Sequence, residues 1–177
     1  MPLETKRLIL RNWTDADLEP FSEMCADHDV MKYFPSVLTN EESMDMARKI
    51  RSLISARDWG FWAVELKENS RFIGFVGLHV PKPYLPFSPC VEIGWRLSKE
   101  YWGNGYASEA AKASVDFGFS QLKLNEIVAF TAATNRPSIR VMERIGMSNT
   151  GLDFVHPDVP VNSELSHHVL FKISKSE

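Results

Sequence analysis

The sequence predicts an α/β fold in which a mixed sheet of about six to seven strands is flanked by helices, in a single domain spanning residues 1–177. Apolar residues recur at helical spacing over residues 14–57 and alternate in aromatic-rich segments at 60–66 and 71–80. An apolar run at 91–97 then leads through a glycine turn into an alanine-rich helix. The predicted order along the chain is β α α β β β α β α β β.

The first third of the chain predicts a short strand followed by two helices. Residues 6–11 form the strand. Thr14 is a good N-cap, with Asp17 three residues later, for a helix that ends near residues 27–29. Thr39 with Glu42 matches the capping box, and apolar residues between 44 and 54 give the second helix its buried stripe.

The middle of the chain predicts three strands and a helix. Residues 60–66 and 71–80 are two strands joined by the turn at 68–70. Prolines at four positions within 81–89 remove too many backbone donors for a central strand, so this segment is a loop. The strand at 91–97 follows, and the next helix runs to about residue 122.

The last third predicts one more strand, a short helix and a final strand. Residues 126–132 form the first of these strands. Asn135 to Ser138 opens the helix, with Pro137 in its first turn and Gly146 as its stop. Strand-like pieces flank a long loop at 153–166, and residues 168–173 form the last strand.

Composition narrows the class of partner and the setting. The net charge of −3 gives no general reason to expect nucleic acid or an anionic membrane as partner. The cysteines, Cys25 and Cys90, form neither a metal spacing nor a disulfide framework, which favours a reducing cytoplasm. The amino terminus lacks the apolar core of a signal peptide, and the longest apolar stretch, 72–80, is too short to span a bilayer. The histidines at 156, 167 and 168 match no standard metal-ligand spacing, so no metal is expected.

The turn Gly103-Asn104-Gly105 stands where a helix begins, and this position favours an anion. Backbone N–H groups of the first helical turn have no partner within the helix, and the helix dipole adds positive charge. A dinucleotide fingerprint would place glycine or alanine at Ser108 and an acidic residue after the next strand, and both are missing. A P-loop is excluded because no Gly-Lys-Ser/Thr follows. Glycines that only shape a tight turn are the plainer alternative.

Two further motifs accompany the glycine turn. The chain opens with Leu3-Glu-Thr-Lys-Arg-Leu-Ile-Leu-Arg11, and a helix begins at Asn135-Arg-Pro-Ser138 and ends in Glu143-Arg-Ile-Gly-Met147. Together with Trp102-Gly-Asn-Gly-Tyr-Ala107, they resemble the GNAT superfamily of acyl-CoA-dependent N-acetyltransferases, in particular the branch with ribosomal-protein N-terminal acetyltransferases. Trp102 stands where the family's pyrophosphate loop begins with a polar residue. The resemblance spans nearly the whole chain.

The resemblance implies a GNAT fold in which the strands 91–97 and 126–132 splay apart and hold acetyl-CoA between them. It implies that pantetheine pairs with backbone groups of Trp95, Arg96 and Leu97. It places the diphosphate on the loop residues, which are Trp102, Gly103, Asn104, Gly105, Tyr106 and Ala107. By the same resemblance Asn135 anchors the pantetheine arm, and its alternative role is that of a turn residue or N-cap.

The implied activity is transfer of an acetyl group from acetyl-CoA to a primary amine by direct attack on the thioester, with coenzyme A as product. Attack needs a neutral amine, and an α-amino group (pKa about 8) loses its proton more easily than a lysine-like amine (pKa about 10.4). A protein N-terminus, a polyamine, an aminoglycoside and a small amine all stay open as acceptors. Tyr84, Phe87 and Phe34 are expected near the acceptor.

Glu92 and Ser138 are the predicted catalytic residues. Glu92 is a carboxylate on an otherwise apolar strand and is the candidate base, directly or through water; its alternative is a solvated or ion-paired residue. Backbone N–H of Leu97 or Arg96 is expected at the developing oxyanion. Many GNAT enzymes protonate the thiolate with a tyrosine whose position falls on Met142, which cannot donate a proton. Ser138 lies one turn earlier and either protonates the sulfur or helps to cap the helix.

Two rival functions stay open. A GNAT-fold module that binds acyl-CoA as a sensor or scaffold is favoured by Met142 and opposed by Glu92. A dinucleotide-dependent oxidoreductase is the more distant alternative. Exposed edge strands leave a homodimer open.

Overall fold

The structure, a computed structural model, describes residues 2–175. Six strands have four or more residues, and three have only two. The strands are β1 (Leu3–Glu4), β2 (Leu8–Arg11), β3 (Phe61–Leu66), β4 (Phe72–His79), β5 (Glu92–Leu97), β6 (Glu126–Ala132), β7 (Ser148–Asn149), β8 (Phe154–Val155) and β9 (His167–Ser174). The helices are α1 (Leu18–Ala26), α2 (Asn40–Arg57), α3 (Tyr106–Ser120) and α4 (Arg136–Arg144).

One mixed sheet contains all the described strands. Its order is β1-β2-β3-β4-β5-β6-β9-β7, and β8 pairs with β9. All neighbours are antiparallel except β5 and β6, which are parallel. The predicted mixed α/β fold is confirmed, and the longer strands account for six of the six to seven expected.

The predicted first strand begins two residues later than expected, because a turn precedes it. The backbone N–H of Thr5 donates to the Leu8 carbonyl at 3.0 Å, and the Leu8 N–H donates to the Thr5 hydroxyl at 3.0 Å. This turn connects β1 to β2 as a small hairpin. It also brings Arg7 next to the start of α3, where its side chain contacts Asn104 and Glu109.

The helices begin where the capping residues predict. The Thr39 hydroxyl accepts a hydrogen bond from the Glu42 N–H, and the Glu42 carboxylate accepts one from the Thr39 N–H. The Thr14–Asp17 pair forms a second capping box, but it opens a short 3-10 turn that continues into α1. Within residues 2–175, no helix is both long and apolar enough to cross a bilayer.

The parallel strands β5 and β6 separate soon after they meet. Glu92 pairs with Val128, and the Val128 N–H donates to the Val91 carbonyl at 3.0 Å. Beyond this point β5 stays paired with β4 and β6 with β9, but not with each other. The predicted splayed strand pair is therefore confirmed, and a gap opens toward the C-terminal ends of both strands.

Helices cover the two faces of the sheet and fix which side chains meet. On one face, Trp62 packs edge-on against Phe117 of α3, with ring centroids 5.2 Å apart. On the other face, Trp13 packs edge-on against Phe21 of α1, at 4.9 Å. Alternation along β5 then directs Glu92, Gly94 and Arg96 to the α1–α2 face, and Ile93, Trp95 and Leu97 to the α3–α4 face.

Candidate active site

The glycine turn before α3 leaves a row of backbone donors without partners. Gly103 and Gly105 have φ of +78° and +79°, a conformation that glycine adopts without steric cost, and Gly105 is the N-cap of α3. No described residue accepts a hydrogen bond from the backbone N–H groups of residues 103–108. Consecutive free N–H groups at the positive end of a helix, here one of 15 residues, are typical of anion-binding sites.

The same turn has space for a large anionic group. A Cβ built on Gly103 would meet no atom within 4 Å, and one on Gly105 would meet only the Arg7 guanidinium, at 3.6 Å. The Ser108 hydroxyl is buried in the first turn and has no partner among the described residues. Open space and free N–H groups are what diphosphate oxygens require, so the turn fits the predicted diphosphate of acetyl-CoA.

Arg7 and Glu109 brace this turn, and the sequence reasoning missed both. The Arg7 Nε donates to Glu109 Oε2 at 2.7 Å, and its Nη1 donates to the Asn104 carbonyl at 2.9 Å. The Thr5 hydroxyl donates to the other Glu109 oxygen at 2.6 Å. Burial opposes ionisation of Glu109, but these hydrogen bonds outweigh it and lower the pKa of the carboxyl. The signal for Arg7 is its place in the opening motif, which predicts a strand and carries the family resemblance but does not indicate this contact.

Strand register decides which backbone groups of β5 face the gap. The Ser98 N–H donates to the Ile73 carbonyl of the adjoining strand at 2.9 Å. Because alternate residues of a strand direct their N–H and C=O to the same edge, Arg96 directs its backbone to β4, while Trp95 and Leu97 direct theirs to the gap. The expectation of a pantetheine contact is consistent with the positions of Trp95 and Leu97, but this register does not favour it for the backbone of Arg96.

Trp102 connects the end of β5 to the glycine turn. Its indole Nε1 donates to the Leu97 carbonyl at 2.9 Å, although nearly half of the side chain is exposed. This bond uses the carbonyl of Leu97 and leaves its N–H directed to the gap. Trp102 thus holds the end of the strand, which explains how an indole fits at this position of the loop. The Asn104 amide adds hydrogen bonds to the Tyr101 and Trp102 carbonyls, at 3.2 and 3.1 Å.

Asn135 and Ser138 form the start of α4 at the far side of the gap. Asn135 is the N-cap: its Oδ1 accepts from the Ser138 N–H at 3.3 Å, and its Nδ2 donates to the Thr131 hydroxyl at 2.9 Å. The alternative role of Asn135 as an N-cap is therefore observed. The Ser138 side chain does not cap the helix. Its hydroxyl accepts from the Trp95 Nε1 at 3.2 Å, which leaves its own hydrogen free to donate.

Met142 occupies the next turn of α4 and is buried in the core, with 2% of its surface exposed. A thioether at this position offers no proton. Of the two residues on this face of α4, only Ser138 is both partly exposed and able to donate a hydrogen bond.

Glu92 lies at the start of the gap, where β5 and β6 last touch. Desolvation raises the pKa of its carboxyl to about 8, because burial disfavours the charged form. No ion pair or hydrogen bond within residues 2–175 offsets this effect. The side chain is partly exposed, and no described residue forms an ion pair with it. A carboxyl with a pKa near the working pH is suited to accept a proton during catalysis.

His79 and Phe61 line the wall next to Glu92. His79 is the partner of Glu92 across the β4–β5 ladder, and its ring stacks on Phe61 with centroids 5.1 Å apart. Desolvation, with smaller contributions from Arg57 and Lys49, lowers the pKa of His79 to about 4. Glu92 therefore faces a neutral imidazole at pH 7, and this site contains one group that titrates near neutrality.

The structure also gives the surroundings of Cys90 and of the aromatic residues expected near the acceptor. Desolvation first, and then Glu92 and Glu126, raise the pKa of Cys90 to about 11, so its thiol is a poor nucleophile at pH 7. Tyr84 donates to Asp158 at 2.7 Å, and Phe87 joins an aromatic cluster with Phe130 and Phe154. Phe34 lies over the guanidinium of Arg96. Among residues 2–175, no group of His, Cys, Asp and Glu side chains is arranged to hold a metal.

Comparison with known proteins agrees with this geometry. The family model of the acetyltransferase (GNAT) domain matches residues 7–148. The uncharacterised N-acetyltransferase YnaD of Bacillus subtilis is 32% identical, over all of this chain and 99% of its own. The crystal structure of a GNAT-family acetyltransferase from Bacillus anthracis, also 32% identical, covers 98% of both chains with a TM-score of 0.82.

A third similarity extends to a structure with bound ligands. Spermidine N-acetyltransferase from Vibrio cholerae, in complex with CoA and spermine, covers 96% of both chains with a TM-score of 0.74. At 20% identity this likeness concerns the fold alone. The family model, the full-length relative and the match to the predicted motifs agree. This chain belongs to the GNAT family of N-acetyltransferases, whose members transfer an acetyl group from acetyl-CoA.

Proposed function

We propose that this protein transfers the acetyl group of acetyl-CoA to a primary amine, on a protein N-terminus or a small molecule, by direct attack of the amine on the thioester. The observation that carries this proposal is the row of free backbone N–H groups at residues 103–108, beside the gap between β5 and β6. A diphosphate on that row directs the pantetheine arm into the gap. The backbone groups of Trp95 then pair with the arm, as a missing strand would, while the Leu97 carbonyl stays bonded to Trp102.

Glu92 is the base in this proposal. The attacking nitrogen forms a bond to the carbonyl carbon and must lose a proton, which passes to Glu92 directly or through one water. A pKa of about 8 keeps part of the carboxyl ionised at pH 7 and makes it a stronger base than an exposed glutamate. The neutral His79 opposite adds no positive charge that would lower this basicity.

Two negative charges develop during the reaction, one on the carbonyl oxygen and one on the departing sulfur. The N–H of Leu97 stabilises the first, and the hydroxyl of Ser138 stabilises the second. The Leu97 N–H is directed to the gap and stabilises the carbonyl oxygen as it becomes negative. When the carbon–sulfur bond breaks, the electron pair stays on sulfur, and the Ser138 hydroxyl stabilises the departing thiolate by donating a hydrogen bond to it. Its orientation is set by Trp95, whose indole occupies the acceptor side of the hydroxyl.

The second candidate is a module that binds acyl-CoA without turnover, and Met142 is the observation that favours it. The absence of a tyrosine at this position removes the usual proton donor of the family. The environment of Glu92 argues for turnover, since a desolvated carboxyl costs stability and a pure binding module gains nothing from it. We also propose that the protein works in the reducing cytoplasm, in keeping with two free cysteines.

Thermal melting with acetyl-CoA, CoA and NADPH in parallel tests the proposal. A ligand at about 100 times its Kd adds about 2.7 kcal/mol of stability, which raises the Tm by about 5–11 °C for a domain of this size. We expect this rise with acetyl-CoA and CoA but not with NADPH. A screen of amines that monitors thiol release then separates turnover from binding alone. If neither acetyl-CoA nor CoA raises the Tm, the proposed acetyl donor is refuted.

A further inference from the structure

Arg96 has a buried guanidinium with one edge unbonded. The residue is 8% exposed, and its Nη1 donates only to sulfur, at 3.3 Å to Cys25 Sγ and 3.9 Å to Met46 Sδ. Its Nε is buried and has no partner within residues 2–175. Sulfur atoms are weak acceptors, so the edge formed by Nε and Nη2 has no strong acceptor among the described residues.

Aromatic rings hold this guanidinium in place but do not neutralise it. Its central carbon lies 4.3 Å from the ring centroid of Phe34 and 5.4 Å from that of Phe75. Such contacts offset only part of the cost of desolvating a cation, and burial lowers the pKa of Arg96. Among the described residues, no carboxylate forms an ion pair with it, whereas Arg11 in the same layer has both Asp17 and Glu65. A buried, charged fork without an acid indicates a site that receives an anion from outside.

The position of Arg96 places that anion in the acceptor site. Arg96 and Glu92 lie on the same face of β5, with Cα atoms about 13 Å apart at the strand rise of about 3.3 Å per residue. Gly94 lies between them, and the Phe61 ring packs so closely there that a Cβ would approach it to 3.1 Å. Phe34 covers the guanidinium from the loop between α1 and α2 and is 39% exposed, so one ring separates the cation from solvent.

Two further positive charges lie near the Glu92 end of this face, whereas the carboxylates Asp17 and Glu65 are paired with Arg11. Arg57 and Lys49 lie near enough to His79 to lower its pKa. A polyamine would bring additional positive charge to a face that already holds these groups and Arg96. An acceptor with a carboxylate would instead pair with Arg96 through two parallel hydrogen bonds.

We propose that the acceptor is an amine that also carries a carboxylate, with the amine at Glu92 and the carboxylate on the Nε–Nη2 edge of Arg96. The inference rests on the proposed acetyl transfer and assigns its substrate class. The separation of the two residues suits a carboxylate several bonds from the amine, as in a short peptide with a free C-terminus. Arg96 thus binds the carboxylate of the acceptor through its guanidinium.

Matched acceptors test this directly. Diglycine and triglycine, each as the free acid and as the C-terminal amide, have similar amines and differ in the charge of the other end. We expect kcat/KM, from thiol release with acetyl-CoA, to favour the acids about 10- to 100-fold, as expected for hydrogen bonds to a charged group. Spermidine should be a poorer acceptor than either acid. This comparison uses the wild-type protein and needs no variant to fold.

Variants then assign the preference to one side chain. Arg96→Met keeps much of the volume and removes the charge, and Arg96→Lys keeps the charge without the planar fork. Both should bring the ratio of acid to amide toward one, mainly through KM. Arg48→Met, on the exposed surface of α2, removes the same charge elsewhere and should keep the wild-type ratio.

The outcomes separate this inference from the proposed function. The Tm of the wild-type protein is measured with CoA and either the peptide acid or the peptide amide. Because CoA carries no acetyl group, the shift in Tm reports acceptor binding without turnover. If acids and amides are equal in both turnover and melting, or if spermidine is preferred, the inference is overturned while acetyl transfer stands. If acetyl-CoA itself produces no melting shift, the proposed function fails, and the inference fails with it.

Discussion

The indole Nε1 of Trp95 donates a hydrogen bond to the Ser138 hydroxyl at 3.2 Å, across the gap between β5 and α4. The bond connects β5 to α4. The hydroxyl oxygen accepts this bond with one of its lone pairs. Its hydrogen is thereby directed away from Trp95. The proposed hydrogen-bond donor to the departing thiolate thus has its orientation set by a residue of the cofactor-binding strand.

Ser138→Ala should lower kcat about tenfold and leave the KM for acetyl-CoA nearly unchanged, because the hydroxyl acts on the departing thiolate rather than on the bound donor. Trp95→Phe should lower kcat less, and the double variant should be close to Ser138→Ala alone, since Trp95 acts through Ser138. Steady-state kinetics on the three variants checks this. Normal turnover by Ser138→Ala would exclude the serine as an acid.

Glu92→Gln should lower kcat about a hundredfold, since the amine then has no positioned base. In the wild type, kcat should rise with pH and level off near pH 8, because the carboxyl acts when ionised and its pKa is about 8. The variant should lose this inflection. Glu92→Asp is the matched control, which keeps a carboxylate and should keep a pH-dependent kcat. An unchanged pH profile in Glu92→Gln would count against the base.

Glu92 should also make stability depend on pH. Its pKa is about 8 in the folded protein and 4.5 in the unfolded chain, so the folded state holds the proton more tightly. The free energy of unfolding should therefore fall as pH rises from about 4.5 to about 8. Melting without ligand should show Glu92→Gln more stable than the wild type at pH 8, with a smaller difference at pH 5. Glu126→Gln, on an exposed carboxyl, should show no such trend.

Gly105→Ala should weaken acetyl-CoA binding about tenfold or more. The new methyl group enters the space proposed for the diphosphate, and φ of +79° strains an alanine by about 1–2 kcal/mol. Gly151→Ala is the control, because Gly151 has φ of +72°, open surroundings and a place far along the chain in another turn. Both variants should have a lower Tm than the wild type, because both strain an alanine. Calorimetry should find the acetyl-CoA affinity of Gly151→Ala unchanged. Equal affinities in all three proteins would argue that the glycines only shape the turn.

Arg7→Met should raise the Kd for acetyl-CoA, since it leaves the Glu109 carboxylate unpaired beside the proposed diphosphate. An effect of about tenfold corresponds to about 1.4 kcal/mol. The double variant Arg7→Met with Glu109→Gln should recover part of the affinity, because the repelling charge is gone. Titration calorimetry at low and moderate salt measures both. If the double variant binds no better than Arg7→Met, the role of Arg7 is to hold Asn104 rather than to neutralise Glu109.

Local patterns were sufficient where the structure depends on neighbours in sequence. The capping box at Thr39, the glycine turn at Gly103 and Gly105, and the proline-rich loop at 81–89 all appear where the sequence placed them. These features rely on φ preferences and on side chains that bond to nearby backbone. The family resemblance added the splay of β5 and β6, which no single segment encodes.

The amino-acid sequence alone predicted the order of the four helices and the longer strands, the glycine turn and the family, but not the hairpin of β1 and β2. It could not determine that Arg7 and Glu109 meet 102 positions apart, because that contact depends on the hairpin between β1 and β2. Nor did it indicate that the backbone of Arg96 is directed to β4 and its side chain to an aromatic pocket without a carboxylate. The edge and the face to which a strand residue points depend on the register of the whole sheet. Tertiary structure decided these points because a shift of one residue in register exchanges the two faces of a strand.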